Sequence, residues 1–219
     1  MATNLDICNL ALSHLGDTAT VSSIDPPEGS AQAEHCARFY PMARDSLLEL
    51  HPWSFATKRV ALAILGSGAP EWDYCYAQPA DALNVVSVLP PYASDDYSIG
   101  TIAGVDPSAS TVSGYVPQPF ACEIDADGNS IILTDQADAL LRYTMSNVDE
   151  TKFPPLFTMA LSWHLAGMLA GPILKGEAGA AEAKRCSAMM NAYLSQATES
   201  DASQRSIKPQ HNVAWIAGR

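Results

Sequence analysis

Residues 35–56 read HCARFYPMARDSLLELHPWSFA. With the residues just before them, Ala33, Cys36, Tyr40, Ala43, Leu47 and Leu50 recur every three or four positions. That spacing keeps one face of a helix apolar for about five turns. Pro41 interrupts the run: it has no amide to offer the carbonyl of Ala37, and its ring crowds that carbonyl. The unbroken seam predicts one bent helix, capped by Ser30, instead of two short ones. Pro52 drives His51 toward extended backbone and predicts the stop. Trp53 and Phe55 follow as aromatic anchors.

Upstream, Thr3 or Asn4 can cap a helix carrying Leu5, Cys8, Leu12 and Leu15, closed by Gly16. The breaker-rich VSSIDPPEGS separates the two helices. Downstream the period changes. ATKRVALAIL, EWDYCYAQP, ALNVVSVLP, FACEIDADGNSIIL and ALLRYTMS are short runs with β-branched or aromatic content, as strands require. DADGN inside the fourth run predicts a hairpin with positive φ near Asp127-Gly128. Residues 92–119 are rich in Ser, Gly and Pro and predict a long exposed loop. FPP opens a third helix over 154–174, and a fourth is expected over about 177–198, with Ala183, Cys186, Met190, Tyr193 and Ala197 on one seam.

Charge is unevenly spread over the 219 residues. The chain carries −12 in all, while 202–219 holds Arg205, Lys208 and Arg219 and no acid; −12 less this +3 leaves −15 for the rest. No Lys or Arg occurs from Val60 to Leu141, where acids such as Asp73, Asp95, Asp96, Asp125 and Asp127 accumulate. Affinity for a nucleic-acid backbone comes from cations, so tight DNA binding by this region is excluded. An acidic surface that lets DNA pass and an ordinary solvated face both remain open.

Five cysteines (Cys8, Cys36, Cys75, Cys122, Cys186) lie scattered without a CxxC pair, which argues against a disulfide framework or a zinc site and predicts small buried hydrophobes. MATNLDICNL has neither a basic start nor a long apolar run, so a reducing cytoplasm is expected. LFTMALSWHLAGMLAGPIL, 156–174, is long and apolar enough to be weighed as a membrane span. His164, Ser162 and Trp163 at its centre, and Pro172 near its end, favour a central helix apolar on all sides.

Known chemical motifs fail on inspection. DADGN starts like a calcium loop, but Ser130 and Gln136 stand where Gly and Glu are needed. GPILKG, 171–176, lacks the Gly-rich lead and the Ser or Thr of a phosphate loop. Neither GxSxG nor HExxH occurs. No catalytic, cofactor-binding or metal residue is therefore nominated, and no cofactor is expected.

Five stretches come in a telling order: ICNLALSHLGD, AEHCARFYPMARDSLLELHPWSFA, WDYCYAQPADALNVVSV, LLRYTMSNVDETKFPPLFTMALSWHLAGMLA and AWIAGR. Together they resemble the head-to-tail adaptors of short-tailed phages, the tail tubular protein A type. The resemblance covers most of the chain apart from 92–119. It implies an α+β protein with no enzymatic activity: an α-helical bundle with an inserted β-rich domain and an extended C-terminal tail. The expected division is 1–54 and 151–199 for the bundle, 55–150 for the acidic β-rich domain, and 200–219 for a flexible basic tail. The family assembles, usually as twelve copies, into a ring beneath the portal protein at the head-tail junction of the virion, after synthesis in the host cytoplasm. The ring extends the DNA channel and carries nozzle or other tail proteins. Genomic DNA passes through without specific binding, and no membrane is involved.

Mapped onto this chain, that role gives the tail residues Arg205, Lys208, Val213, Trp215, Ile216 and Arg219 to portal docking. Tyr40, Pro41, Leu47, Ala166, Gly167, Ala170 and Gly171 would pack within a subunit and against its neighbours. Trp53 and Phe55 would pin the junction of the helical and β parts. Asp73, Asp95, Asp96, Asp125 and Asp127 are candidates for an acidic channel or surface. Alternatives are another tail-completion protein, or a small cell-wall hydrolase using two carboxylates about 5–9 Å apart.

Overall fold

The computed structural model describes residues 2–67, 70–91, 118–146 and 148–204. Over these residues it is an α+β protein with four α-helices and two antiparallel sheets. Two compact units are present: Met1–Ala56 with Met145–Arg205, and Thr57–Thr144.

The first unit holds every long helix. α1, Asn4–His14, starts at a reciprocal cap: the Thr3 hydroxyl accepts from the Asp6 amide, and the Asp6 carboxylate accepts from the Thr3 amide at 2.8 Å. Gly16, at φ +75°, ends it. Its buried stripe is Ile7, Cys8, Ala11, Leu12 and Leu15, with Leu5 half-buried. α2, Ala31–Glu49, is capped by Ser30 and runs unbroken through Pro41. A mid-helix proline costs about 3 kcal/mol. Leu47 and Leu48 alone, at roughly 1.5–3 kcal/mol for each buried side chain, match or exceed that cost. Leu50 corrects the expected seam: it forms the helix C-cap, lies 63% exposed, and Leu48 takes the buried place.

α3, Pro155–Leu174, begins with Pro155 in its first turn, where a missing amide costs nothing. It packs against α1, α2 and α4 and is buried on most sides. Its length and composition are sufficient to cross a membrane, and 50% of its most apolar window is buried inside the unit. Phe157, Leu161, Leu165 and Leu169 are fully buried. α4, Gly176–Ala202, is longer than the spacing of apolar residues predicts. Lys175 and Gly176, at φ 56° and 59°, make the tight reversal between α3 and α4. The helices then approach closely: a Cβ on Gly179 would stand 2.8 Å from the Ala170 carbonyl oxygen.

The second unit has β1 (Thr57–Ala61), β2 (Ile64–Ser67), β3 (Tyr74–Ala77), β4 (Ala82–Leu89), β5 (Phe120–Ile124), β6 (Ser130–Thr134) and β7 (Leu140–Met145). All five expected strand-bearing runs contain strands. The strands form one sheet ordered β1-β7-β4 and another ordered β2-β3-β6-β5. Register is explicit: Lys58 lies opposite Tyr143, Tyr76 opposite Ile132, and Cys122 opposite Ile132 on its other side. β6 is buried from Ile131 to Thr134, so side chains on both of its faces are covered. The β5–β6 hairpin closes as expected, with Gly128 at φ +87°; Asp127 stays on the negative side.

Cys8, Cys36 and Cys186 are buried as expected. Cys75 is half-buried and Cys122 is exposed, which corrects the expectation for those two: β5 is an edge strand and turns Cys122 outward.

Candidate functional site

The helix that stops at His51-Pro52 explains itself through Trp53. The indole is buried, and its Nε1 donates to the Leu47 carbonyl at 2.9 Å, satisfying one of the acceptors that a helix end leaves unpaired. Its ring meets Phe157 edge-on with centroids 5.0 Å apart. Phe55 packs on the same Phe157 at 5.0 Å, and Phe153 at 4.9 Å. Each such pair adds about 0.5–1.5 kcal/mol beyond area burial. Phe55 precedes the point where the chain enters the second unit, and Phe153 follows the point where it returns. Both segments are therefore anchored on one α3 side chain. Phe153 and Phe157 were not singled out from sequence, where they sit among other apolar residues of a long run.

A second tie joins α4 to the same region. The Asp201 carboxylate accepts from the Ser54 amide, from the Ser54 hydroxyl at 2.6 Å, and pairs with His51 Nε2 at 3.2 Å. Ser, His and Asp thus meet, but both other groups bind the acid. A nucleophile needs the imidazole between hydroxyl and carboxylate. Asp201 is instead the hub of a clasp.

Two further His–Ser pairs have the same limit. Ser162 donates its proton to the Met159 carbonyl and meets His14 Nε2 at 3.1 Å. Ser46 donates to the Ala43 carbonyl and meets His164 Nε2 at 3.0 Å. Each hydroxyl has a backbone carbonyl as well as the imidazole to bond, and among the described residues no carboxylate bonds either ring, so neither pair is arranged as a triad. Burial pushes His14 and His164 below the ordinary histidine value, and Arg185 adds to this at His14. His14 also stacks on Trp163 at 3.6 Å, and the Arg185 guanidinium stands 5.0 Å from that indole. Arg185 donates to the His14 carbonyl at 3.0 Å and pairs with Glu182. These partners lie up to 171 residues apart, beyond any local sequence signal.

The expected packing residues are placed as follows. Tyr40, Leu47, Ala166 and Ala170 are buried within their own unit, and Gly167 is half-buried. Only Pro41 and Gly171 are exposed and free to meet a neighbour. The Tyr40 hydroxyl donates to Glu150 at 3.3 Å; burial, then the Glu150 charge, raises its pKa. Gly167 helps to open a groove of about 240 Å³ between α3 and α4, lined also by Trp163, His164, Met168, Ala183, Ser187 and Met190.

Of the acids, Asp73 and Asp127 are exposed. Asp125 is committed to its turn: Oδ1 accepts from the amides of Asp127 at 2.9 Å and Asn129 at 2.8 Å, and these bonds hold its pKa low. Asp81, not singled out from sequence, accepts from Tyr143 at 2.8 Å and Lys58 at 3.3 Å. Asp95 and Asp96, the loop over 92–117, and Arg205, Lys208, Val213, Trp215, Ile216 and Arg219 lie outside the described residues. Among the described residues, no group of three or more His, Cys, Asp or Glu could hold a metal ion.

No family model matches this chain, and no curated protein matches it.

Proposed function

We propose that this chain is a structural head-to-tail adaptor of a short-tailed phage. It forms a ring under the portal, extends the DNA channel and carries the tail or nozzle. The observation that carries the proposal is the way the helical unit is built. Helices from both ends of the chain share it, and the β unit departs and returns through segments anchored by Phe55 and Phe153 on Phe157. A β-rich domain inserted into a helical bundle is the arrangement that the resemblance implies. Five sequence stretches in the order of that family stand beside it.

The role needs surfaces for neighbours more than a reaction centre. Charged and polar ties such as Asp201–Ser54 and Glu150–Tyr40 hold the helices of one subunit together. The acid-only middle of the chain would keep DNA sliding where it faces the channel.

Native mass of the purified protein, alone and mixed with its portal, tests the reading. A ring complex that forms with portal, and is lost on deletion of 202–219, is expected. A small species that ignores portal would overturn it.

A further inference from the structure

The four-stranded sheet has two open edges. β2 pairs only with β3 and β5 only with β6, so among the described residues neither outer side has a partner strand. An open edge presents unpaired amides and carbonyls, and proteins ordinarily guard it with lysine, proline or other charge. The edge strand β1 of the other sheet carries Lys58 and Arg59. β2 reads ILGS and β5 reads FACEI, with no lysine, arginine or proline in either. Apolar surface stands there instead: Ile64 is 60% exposed, Leu65 56% and Ile124 72%. Among the described residues of the second unit, no other large hydrophobic side chain is exposed.

The register shows where that surface leads. Ile64 lies opposite Tyr76, Tyr76 opposite Ile132, and Ile132 opposite Cys122, and residues directly opposite share a face. The middle of this row, Tyr76 and Ile132, is buried, while Ile64 and Cys122 end it in solvent. Every neighbouring pair in the sheet is antiparallel, so β2 and β5 run in opposite directions. A copy set alongside in the same orientation therefore brings its β2 antiparallel to β5. The other edge pairings fit less well. Two β5 strands would gather two sets of Glu123, Asp125 and Asp127, whose like charges repel, whereas β2 carries no charge. Two β2 strands would leave Ile124 bare. Only β5 against β2 covers all three exposed apolar residues. We propose that β5 of one copy pairs with β2 of a second copy, Cys122 opposite Ile64, so that the sheet continues between copies. The contact is heterologous: each copy gives one edge and receives the other, which closes into a ring where the rotation per copy permits. The proposal deepens the adaptor reading by naming the contact between copies, and rests on it for closure into a ring.

Disulfide trapping on the full chain mixed with its portal tests the pairing, with Ile64→Cys introduced at an exposed position and Cys122 as its native partner. Cα atoms of residues opposite each other on antiparallel strands stand about 4.5–5.5 Å apart, within the span of a disulfide. An aromatic disulfide is the oxidant, and takes up the two electrons and two protons that the thiols give. A ladder of species larger than the dimer is expected on a non-reducing gel, and it should vanish when Cys122→Ser is added. No ladder, or one that survives Cys122→Ser, overturns the pairing. Wild-type dimers joined through Cys122 overturn it too, since they would place two β5 strands together. Leu65→Glu, which brings an acid to those of β5, should weaken association by about tenfold or more while leaving the melting curve unchanged. Association as strong as that of the wild type would count against the pairing. A ring that forms with portal but gives no ladder would keep the adaptor reading and lose this contact. A ladder from a chain that ignores portal would keep the contact and lose the adaptor reading.

Discussion

Gly179 and Gly171 lie on facing helices, yet a methyl group would act very differently at the two. At Gly179 a Cβ would stand 2.8 Å from the backbone oxygen of Ala170, which cannot swing aside as a side-chain tip would. Gly179→Ala should therefore force α3 and α4 apart and cost about 1–3 kcal/mol. At Gly171 nothing beyond its chain neighbours and its own helical turn lies within 4 Å of the added carbon, and the residue is exposed in the last turns of α3, just before Pro172. Gly171→Ala should stay within about 1 kcal/mol of the wild type, because the backbone entropy that alanine saves in a helix is set against the crowding of its Cβ by the Pro172 ring. Urea midpoints of the two variants check the contrast. Equal destabilisation by both would show that Gly171 is confined in a way that the single chain does not reveal. The resemblance put Ala166, Gly167, Ala170 and Gly171 among the packing residues. Which glycine is indispensable was not legible there, because the closest approach belongs to Gly179 on the other helix.

Among the elements, α3 is the one that the others surround, and its histidine ties have a consequence for acid stability. His14 on α1 and His164 on α3 both have pKa values below the usual 6.5 in the folded protein, chiefly through burial. The unfolded chain therefore binds protons that the folded chain refuses as pH falls below about 6.5. Stability supplied by keeping these rings neutral is complete above that value. It declines as pH drops from there through the lowered folded-state values. Urea midpoints measured from about pH 7.5 down to about pH 5 should fall across this window. A His164→Gln variant, which retains a side chain able to bond Ser46, should show a shallower decline. A wild-type profile that is flat over the window would mean that the rings are not kept neutral. The seam periodicity located α1, α2 and α4 well. Leu50 was misplaced because a seam counted along an endless helix takes no account of where the cap falls.

For the whole molecule, charge and connectivity are what the proposed function rests on. The second unit carries the acid-only stretch, and within it Asp125 and Asp81 are occupied by a turn and by Lys58 and Tyr143. Asp73 and Asp127 are exposed, and neither carboxylate is bound into a turn in this way. Asp73→Lys with Asp127→Lys, at the two ends of the β3–β6 pairing, should slow genome ejection from assembled particles if either end meets DNA, since each lysine gives the phosphate backbone an attachment point. Ejection at the wild-type rate from particles that contain the variant would turn these acids away from the channel. Sequence had placed all the acids together as one class. Bonds within its own turn at Asp125, and to Lys58 and Tyr143 on neighbouring strands at Asp81, separated the structural carboxylates from Asp73 and Asp127.

The sequence by itself determined the elements: the capped helix after Thr3, the helix that survives Pro41, the DADGN hairpin and the five strand-bearing runs. Each rests on spacing, caps or turn chemistry carried by residues a few positions apart. Tertiary structure alone decided that Trp53 would cap α2 and meet Phe157, that Asp201 would clasp Ser54 and His51, and that Gly179 would touch Ala170. It also decided that α3 and α4 would leave a groove beside Trp163. Some of these partners are separated by more than a hundred positions. Their meeting depends on how whole helices pack, and no local pattern records it.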